Sequence, residues 1–147
     1  PSPANGYSYH HARRLWSLKY DKNLYFPDLF AFDKEMIGLA KQTQLFAWDY
    51  PTLLHIHEDD KILAFERSKL IFVFNFHPEH SFSDYLIHAP AGKYEMRLDT
   101  DESRFGGLGR LNPDQVHFTS PIGDLIENRH ALSLYLPSRC ALVLARV

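Results

Sequence analysis

The chain has 147 residues, 45% hydrophobic and 23% charged, a balance that suits one soluble globular domain with a real core. Sixteen basic residues against eighteen acidic ones give a formal charge of -2, and the absence of a basic stripe interleaved with aromatics excludes nucleic-acid binding. No apolar run approaches the ~20 residues of a membrane helix, and no charged-then-apolar leader is visible, so no membrane partner is expected. The single cysteine suits a cytoplasmic protein, with a disulfide-free secreted one as the alternative.

The polar opening stretch, Pro1 to Gly6, carries no initiator Met, as expected of a processed precursor or a piece of a longer chain. Ser8 is placed to cap a short helix with His11, Ala12, Leu15 and Trp16 on one stripe. Pro27 and Asp28 then suit a helix first turn, by ring geometry and by the helix dipole. Leu29, Phe32, Met36, Leu39 and Ala40 recur at helical spacing and predict a helix over about 28–43. The stretch Phe46-Ala-Trp-Asp-Tyr-Pro51 reads as a linker, because Pro51 opposes helix in the residue before it.

After Asp60 the period falls to two. Ile62–Arg67 and 70–77 are β-branched and aromatic, separated by Ser68-Lys69, and read as a hairpin. That turn chemistry is unusual, since neither residue accepts positive φ as readily as Gly or Asn. Both faces of the second strand are largely apolar, which predicts a central strand covered on both sides. The core is expected around Phe72, Phe74 and Phe76 together with the alternating Tyr94, Met96 and Leu98. Further strands are expected at 85–88 and 116–119, with a long polar Gly-rich loop at 99–115. A closing hairpin is expected from 131–136 and Cys140–Arg146, joined through Pro137-Ser-Arg139. Six or seven short strands that do not alternate with helices predict an antiparallel β-sandwich, not a parallel α/β domain.

The chemical motifs are weak. Cys140 is the single cysteine, which excludes an intrachain disulfide and a tetrathiolate site and suits a buried structural thiol. His55 and His57 would share a strand face beside Glu58, Asp59 and Asp60, within reach of one metal ion, but the pattern suits a polar approach to the first sandwich strand better. In His77-Pro-Glu-His80 the proline prevents helical presentation. The Asp99-Thr-Asp101 start of a calcium loop fails because Arg104 and Arg110 stand where Gly and Glu are needed. Gly106-Gly107-Leu-Gly109 lacks phosphate-loop spacing and reads as a loop that needs positive φ. No nucleophile elbow or triad order is present, and the acids lie on loops and helix exteriors. The residues therefore give a mostly β domain with a helical lead-in, with no catalytic residue, metal or cofactor expected.

The run Ile62-Leu-Ala-Phe-Glu-Arg-Ser-Lys-Leu-Ile-Phe-Val-Phe-Asn-Phe-His-Pro78 resembles the C-terminal region of 1,4-α-glucan (glycogen) branching enzymes, of the α-amylase superfamily. Ser83-Asp-Tyr85, Gly92-Lys-Tyr94, Leu98-Asp-Thr-Asp101, Phe105-Gly-Gly107 and Leu136-Pro-Ser-Arg139 are similar too, and the stretch from Asn5 to Leu18 resembles the segment after the last catalytic motif. Family members commonly carry Trp where Tyr7 stands, Gln at Leu15 and His at Leu108. The resemblance implies a parent that cleaves α-1,4 linkages, holds a covalent glycosyl-enzyme and transfers the glucan to a 6-hydroxyl. Its Asp nucleophile and Glu acid/base would lie on a (β/α)8 barrel before Asn5, outside this chain. Residues 1–45 would then be the helical tail of the barrel, 46–57 a linker, and 58–147 the α-amylase-type all-β sandwich.

Two functions follow from the resemblance. One is an accessory structural region, inactive without the missing catalytic barrel. The other is an α-glucan binding module, with Tyr7, Tyr9 and Trp16 as candidates for stacking on sugar rings, although Trp16 on an apolar stripe also suits core packing. Phe30 and Ile37 lie outside the main stripe of the predicted helix, so exposed apolar surface and self-association of the fragment are expected.

Overall fold

The computed structural model describes residues 15–47, 50–123 and 128–147. A 3-10 helix at Trp16–Tyr20 leads into helix α1, Phe26–Gln42. Strands follow at β1 (Thr52–His57), β2 (Ile62–Arg67), β3 (Leu70–Asn75), β4 (Phe82–His88), β5 (Lys93–Asp99), β6 (Val116–Phe118), β7 (Ser120–Ile122), β8 (Arg129–Leu136) and β9 (Cys140–Arg146). Among the described residues they form two antiparallel sheets, β1-β2-β3-β9-β5-β6 and β4-β8-β7. The mainly β fold and the antiparallel sandwich expected from the sequence are what the chain forms. Among the described residues no helix is long and apolar enough to cross a membrane.

Helix α1 starts with a proline in its first turn and Asp28 near its positive end, as its sequence dictates. Thr52–His57, expected within a connection, instead pairs with β2 as the edge strand β1. The β2–β3 hairpin forms at the expected place. Ser68 and Lys69 both sit at positive φ, 51° and 64°, as a two-residue turn between right-twisted strands requires. The six cross-strand pairs of this hairpin run without a register shift, so strand pairing outweighs the local cost of the turn.

The inter-sheet core corrects the sequence expectation. Ile71 and Val73, not Phe72 and Phe74, point between the sheets, where they join Ile62, Ala64, Tyr94, Leu142 and Leu144. Ile87, Leu132, Leu134 and Leu136 close the same core from the three-stranded sheet. On β8 the inward leucines alternate with Ser133 and Tyr135, which face out. Phe72 and Phe74 lie on the opposite face of β3, half-buried, and Phe76 just beyond the strand is exposed. Tyr94 and Met96 do join the inter-sheet core, but the register of β5 against β9 shifts between Met96 and Leu98. That bulge turns Leu98 to the other face, where it packs with Leu70 and Val143 against Phe32, Leu39 and Phe105.

A second correction concerns the chain's last two strands. They do not form a hairpin: β8 pairs with β4 and β7, while β9 pairs with β3 and β5 in the other sheet. The connection at 137–139 is an arch that crosses the sandwich. Pro137 has no N–H to offer a ladder, and Arg139 takes φ 55°. Buried Asn75 fixes the crossing, donating through Nδ2 to the carbonyls of Leu136 and His80, each at 3.0 Å.

Candidate functional site

Of the three residues expected to contact sugar, Tyr7 and Tyr9 lie outside the described residues. Trp16 is described and is 61% exposed, so its place on an apolar stripe does not make it a core residue. The Lys19 ammonium lies 5.7 Å from the Trp16 ring centroid, 4.5 Å from that of Tyr20 and 4.6 Å from that of Phe30. Cation–π attraction of this kind orders exposed rings about one charge. Leu15, Trp16, Phe26, Leu29 and Asp33 line an open cleft of about 290 Å3 beside them.

The Gly-rich loop is built on an ion pair of buried Asp101 with half-buried Arg110. Asp101 accepts from the Arg110 backbone N–H at 2.7 Å, and from Arg110 Nη2 at 2.7 Å and Nε at 3.1 Å. Burial acts to raise the Asp101 carboxyl, but its hydrogen bonds to Arg110 outweigh that and hold it below the usual range. Arg110 also reaches the Ser138 carbonyl at 3.1 Å, tying the loop to the arch. Glycine is needed at Gly107, where a Cβ would come within 2.2 Å of the Asp101 backbone. Gly106 and Gly109 take φ 80° and 64°, the left-handed conformations expected. The loop docks on α1, with the Phe105 ring edge-on to Phe32 at 5.4 Å and Arg104 3.4 Å from Glu35.

The histidines do not converge on an ion. The His55 and His57 rings lie 6.4 Å apart, and one nitrogen of each has a protein partner: His55 Nε2 with Tyr85 and His57 Nδ1 with Asp60. Tyr85 donates to Asp60 Oδ2 at 2.9 Å, so its oxygen is left to accept from His55 Nε2 at 3.1 Å. Burial, then the Asp60 bond, pushes the Tyr85 hydroxyl up to about 12. Desolvation, and next the neighbouring His57, lowers His55. Among the described residues no group of three or more His, Cys, Asp or Glu is placed to hold a metal ion. Cys140 is buried, as its setting implied, with its thiol raised chiefly by burial and accepting from Thr100 Oγ1 at 3.6 Å.

A cleft that the sequence reading missed lies at the end of β3. The rings of Phe65, Phe74 and Phe76 form a stacked row, with centroids 6.0 Å and then 5.4 Å apart. Phe76 ends the row, 60% exposed, beside an open cleft of about 350 Å3 that Arg139, Thr100 and Cys140 also line. The alternation of Phe72, Phe74 and Phe76 was visible in the sequence. What it did not reveal was that the strand ends at Asn75, which leaves the last ring beyond the sheet.

The family described as "Alpha amylase, C-terminal all-beta domain" matches residues 54–147. The chain is 43% identical to a 1,4-alpha-glucan-branching enzyme of Dictyostelium discoideum, with 100% of this chain and 22% of that protein covered. It is 38% identical to the enzyme of that name from Saccharomyces cerevisiae, over 99% of this chain and 21% of that one. The Solanum tuberosum protein of the same name is 35% identical, over 97% of this chain and 17% of that one. The chain therefore spans about a fifth of the length of the curated relatives it matches.

Proposed function

The chain belongs to the α-amylase C-terminal all-β domain family, and from that premise we propose that it serves as the accessory region of a 1,4-α-glucan branching enzyme. It supplies structure and no catalytic acid. The enzyme it would complete cuts an α-1,4 bond, retains the glucan on an Asp, and passes it to a 6-hydroxyl, the two-carboxylate chemistry of retaining enzymes. The observation that carries this reading is the extent of the match. It runs over the helical lead-in as well as the sandwich, whereas a free-standing sugar-binding sandwich has no need of α1.

In this arrangement residues up to 45 belong with the catalytic barrel, and that barrel is the partner that covers the outward face of α1. The α-glucan is reached through the parent enzyme, in the cytoplasm. The exposure of Trp16 favours a second reading, direct glucan contact at the 3-10 helix.

The test replaces the matching fifth of the Saccharomyces cerevisiae enzyme with this chain and follows the iodine absorbance of amylose. Branching well above that of the enzyme truncated at the same point is expected. A soluble chimera no more active than the truncation overturns the proposal. The isolated chain is expected to form no α-1,6 linkages.

A further inference from the structure

On the reading that the parent acts on α-glucan, we propose that the cleft between Phe76 and Arg139 is a glucan contact site, separate from Trp16. A glucose unit presents a C–H-rich face and an edge of hydroxyls, so it calls for an open aromatic face next to hydrogen-bond donors. Phe76 supplies the face. Phe74 is stacked on it with an interplanar angle of 6°, yet Phe76 remains 60% exposed. Arg139 supplies the donors: a guanidinium carries five N–H groups and no acceptor. Among the described residues no ion pair engages it.

The backbone that carries both groups is held in place before a ligand arrives. The backbone N–H of Phe76 donates to the Lys61 carbonyl at 2.9 Å. Asn75, 2% exposed, accepts from the His77 N–H at 2.9 Å while donating to the carbonyls of His80 and Leu136. Arg139 in turn donates its backbone N–H to the His77 carbonyl at 3.2 Å. One buried amide thus fixes the loop after Phe76 and the arch that carries Arg139. Preorganisation of this kind lowers the ordering cost of binding.

The other polar groups of the cleft are committed elsewhere. Thr100 accepts from the Ala141 N–H at 2.9 Å and donates to Cys140. A lining that is mostly apolar, with a single free cation, suits an uncharged sugar better than a phosphate, which calls for several converging donors. The volume of about 350 Å3 falls within the ~300–1,000 Å3 typical of ligand clefts.

The test titrates maltoheptaose into the full chain and reads backbone amide shifts and affinity, with cellohexaose as the control sugar. Shifts centred on 75–77 and 139–140 are expected, with affinity falling about tenfold in Phe76→Ala and in Arg139→Gln, equivalent to ~1.4 kcal/mol. Shifts confined to the Trp16 helix, or affinity indifferent to both cleft variants, overturn the proposal. So does an absence of binding at concentrations on the order of 10 mM. If Phe76→Ala unfolds, the wild-type shift map and Arg139→Gln decide. The chimera assay reads branching activity, so failure of this site leaves the accessory-region reading standing.

Discussion

On one face of the six-stranded sheet, Ile71 and Val73 share a sealed core with Leu132 and Leu134 of the opposing sheet. On the other, Phe72, Phe74 and Leu98 meet one helix and one loop, which leave an apolar hollow of about 240 Å3 among Phe32, Leu39, Leu45 and Phe72. Two sheets interdigitate side chains along their whole length. A single helix covers a strip. The first face therefore carries the stability of the domain, while the second keeps exposed aromatic surface that is available for contact. The two faces consequently predict different responses to the same kind of substitution.

The largest effect is expected at Leu132→Ala, which removes a fully buried side chain from the sealed face. A loss of roughly 2–5 kcal/mol follows from lost burial plus the cavity left behind. Denaturant unfolding checks it, and a loss under about 1 kcal/mol would mean that the two sheets pack loosely. Next is Arg110→Ala, which strands the buried Asp101 carboxylate and frees the loop that holds Phe105 on α1. Removing the partner of a buried charge costs roughly 2–4 kcal/mol when the pair is partly open to water. Phe74→Ala on the open face should cost only about 1–2 kcal/mol, since its ring is half-buried and its removal enlarges a hollow already present.

These differences also mark what was legible in the sequence. Hydrophobic period two placed β2 and β3 to the residue at their shared turn, because a hairpin is a local object. The same pattern misassigned the core face of β3. Apolar residues occupied both of its faces, and nothing local says which one meets a sheet and which a helix. The bulge after Met96 was hidden for a related reason: an extra residue reverses the faces without changing composition. The arch at 137–139 read as a hairpin because two apolar strands joined by a short turn look alike whether they pair or cross the sandwich. Among the site residues, Trp16 was singled out for its chemistry, and the structure leaves it exposed. The Phe76–Arg139 cleft joins residues 63 positions apart (139 minus 76), through a buried Asn75 whose partners are set by tertiary structure.

A smaller effect separates two acids of the loop. Burial raises the Asp99 carboxyl above its usual 3.8, and its Oδ2 is buried without a hydrogen-bond partner among the described residues. The folded state then holds that proton to higher pH than the unfolded chain does. Stability from this group is full below the unfolded value and falls as pH rises through the folded one. Asp101 runs the other way: its lowered value contributes stability above 3.8 that is lost as pH falls through the folded value. Asp99→Asn should therefore unfold at a higher temperature than the parent at pH 7, by on the order of 1 kcal/mol for relieving a buried, unpaired charge. The gap should close as pH approaches 4. A gap that widens on acidification would contradict the assignment.

The smallest effect on stability, with the clearest effect on association, is expected on the outer side of α1. Phe30 and Ile37 are exposed there, while Phe32 and Leu39 of the same helix pack against the sheet. A helix that is apolar on two sides is normally covered on two sides, and surface substitutions away from a packed core change stability by about 0.5 kcal/mol or less. Phe30→Ser with Ile37→Ser should thus leave the unfolding midpoint nearly unchanged. If copies of the chain cover this face for one another when nothing else does, light scattering of the parent chain should rise with concentration, and that rise should vanish in the double variant. A parent chain that stays monomeric throughout the series would show that this apolar strip is tolerated in water. A rise that persists in the variant would move the contact elsewhere, and the exposed ring of Phe76 on the same open side of the sheet would be the next place to test.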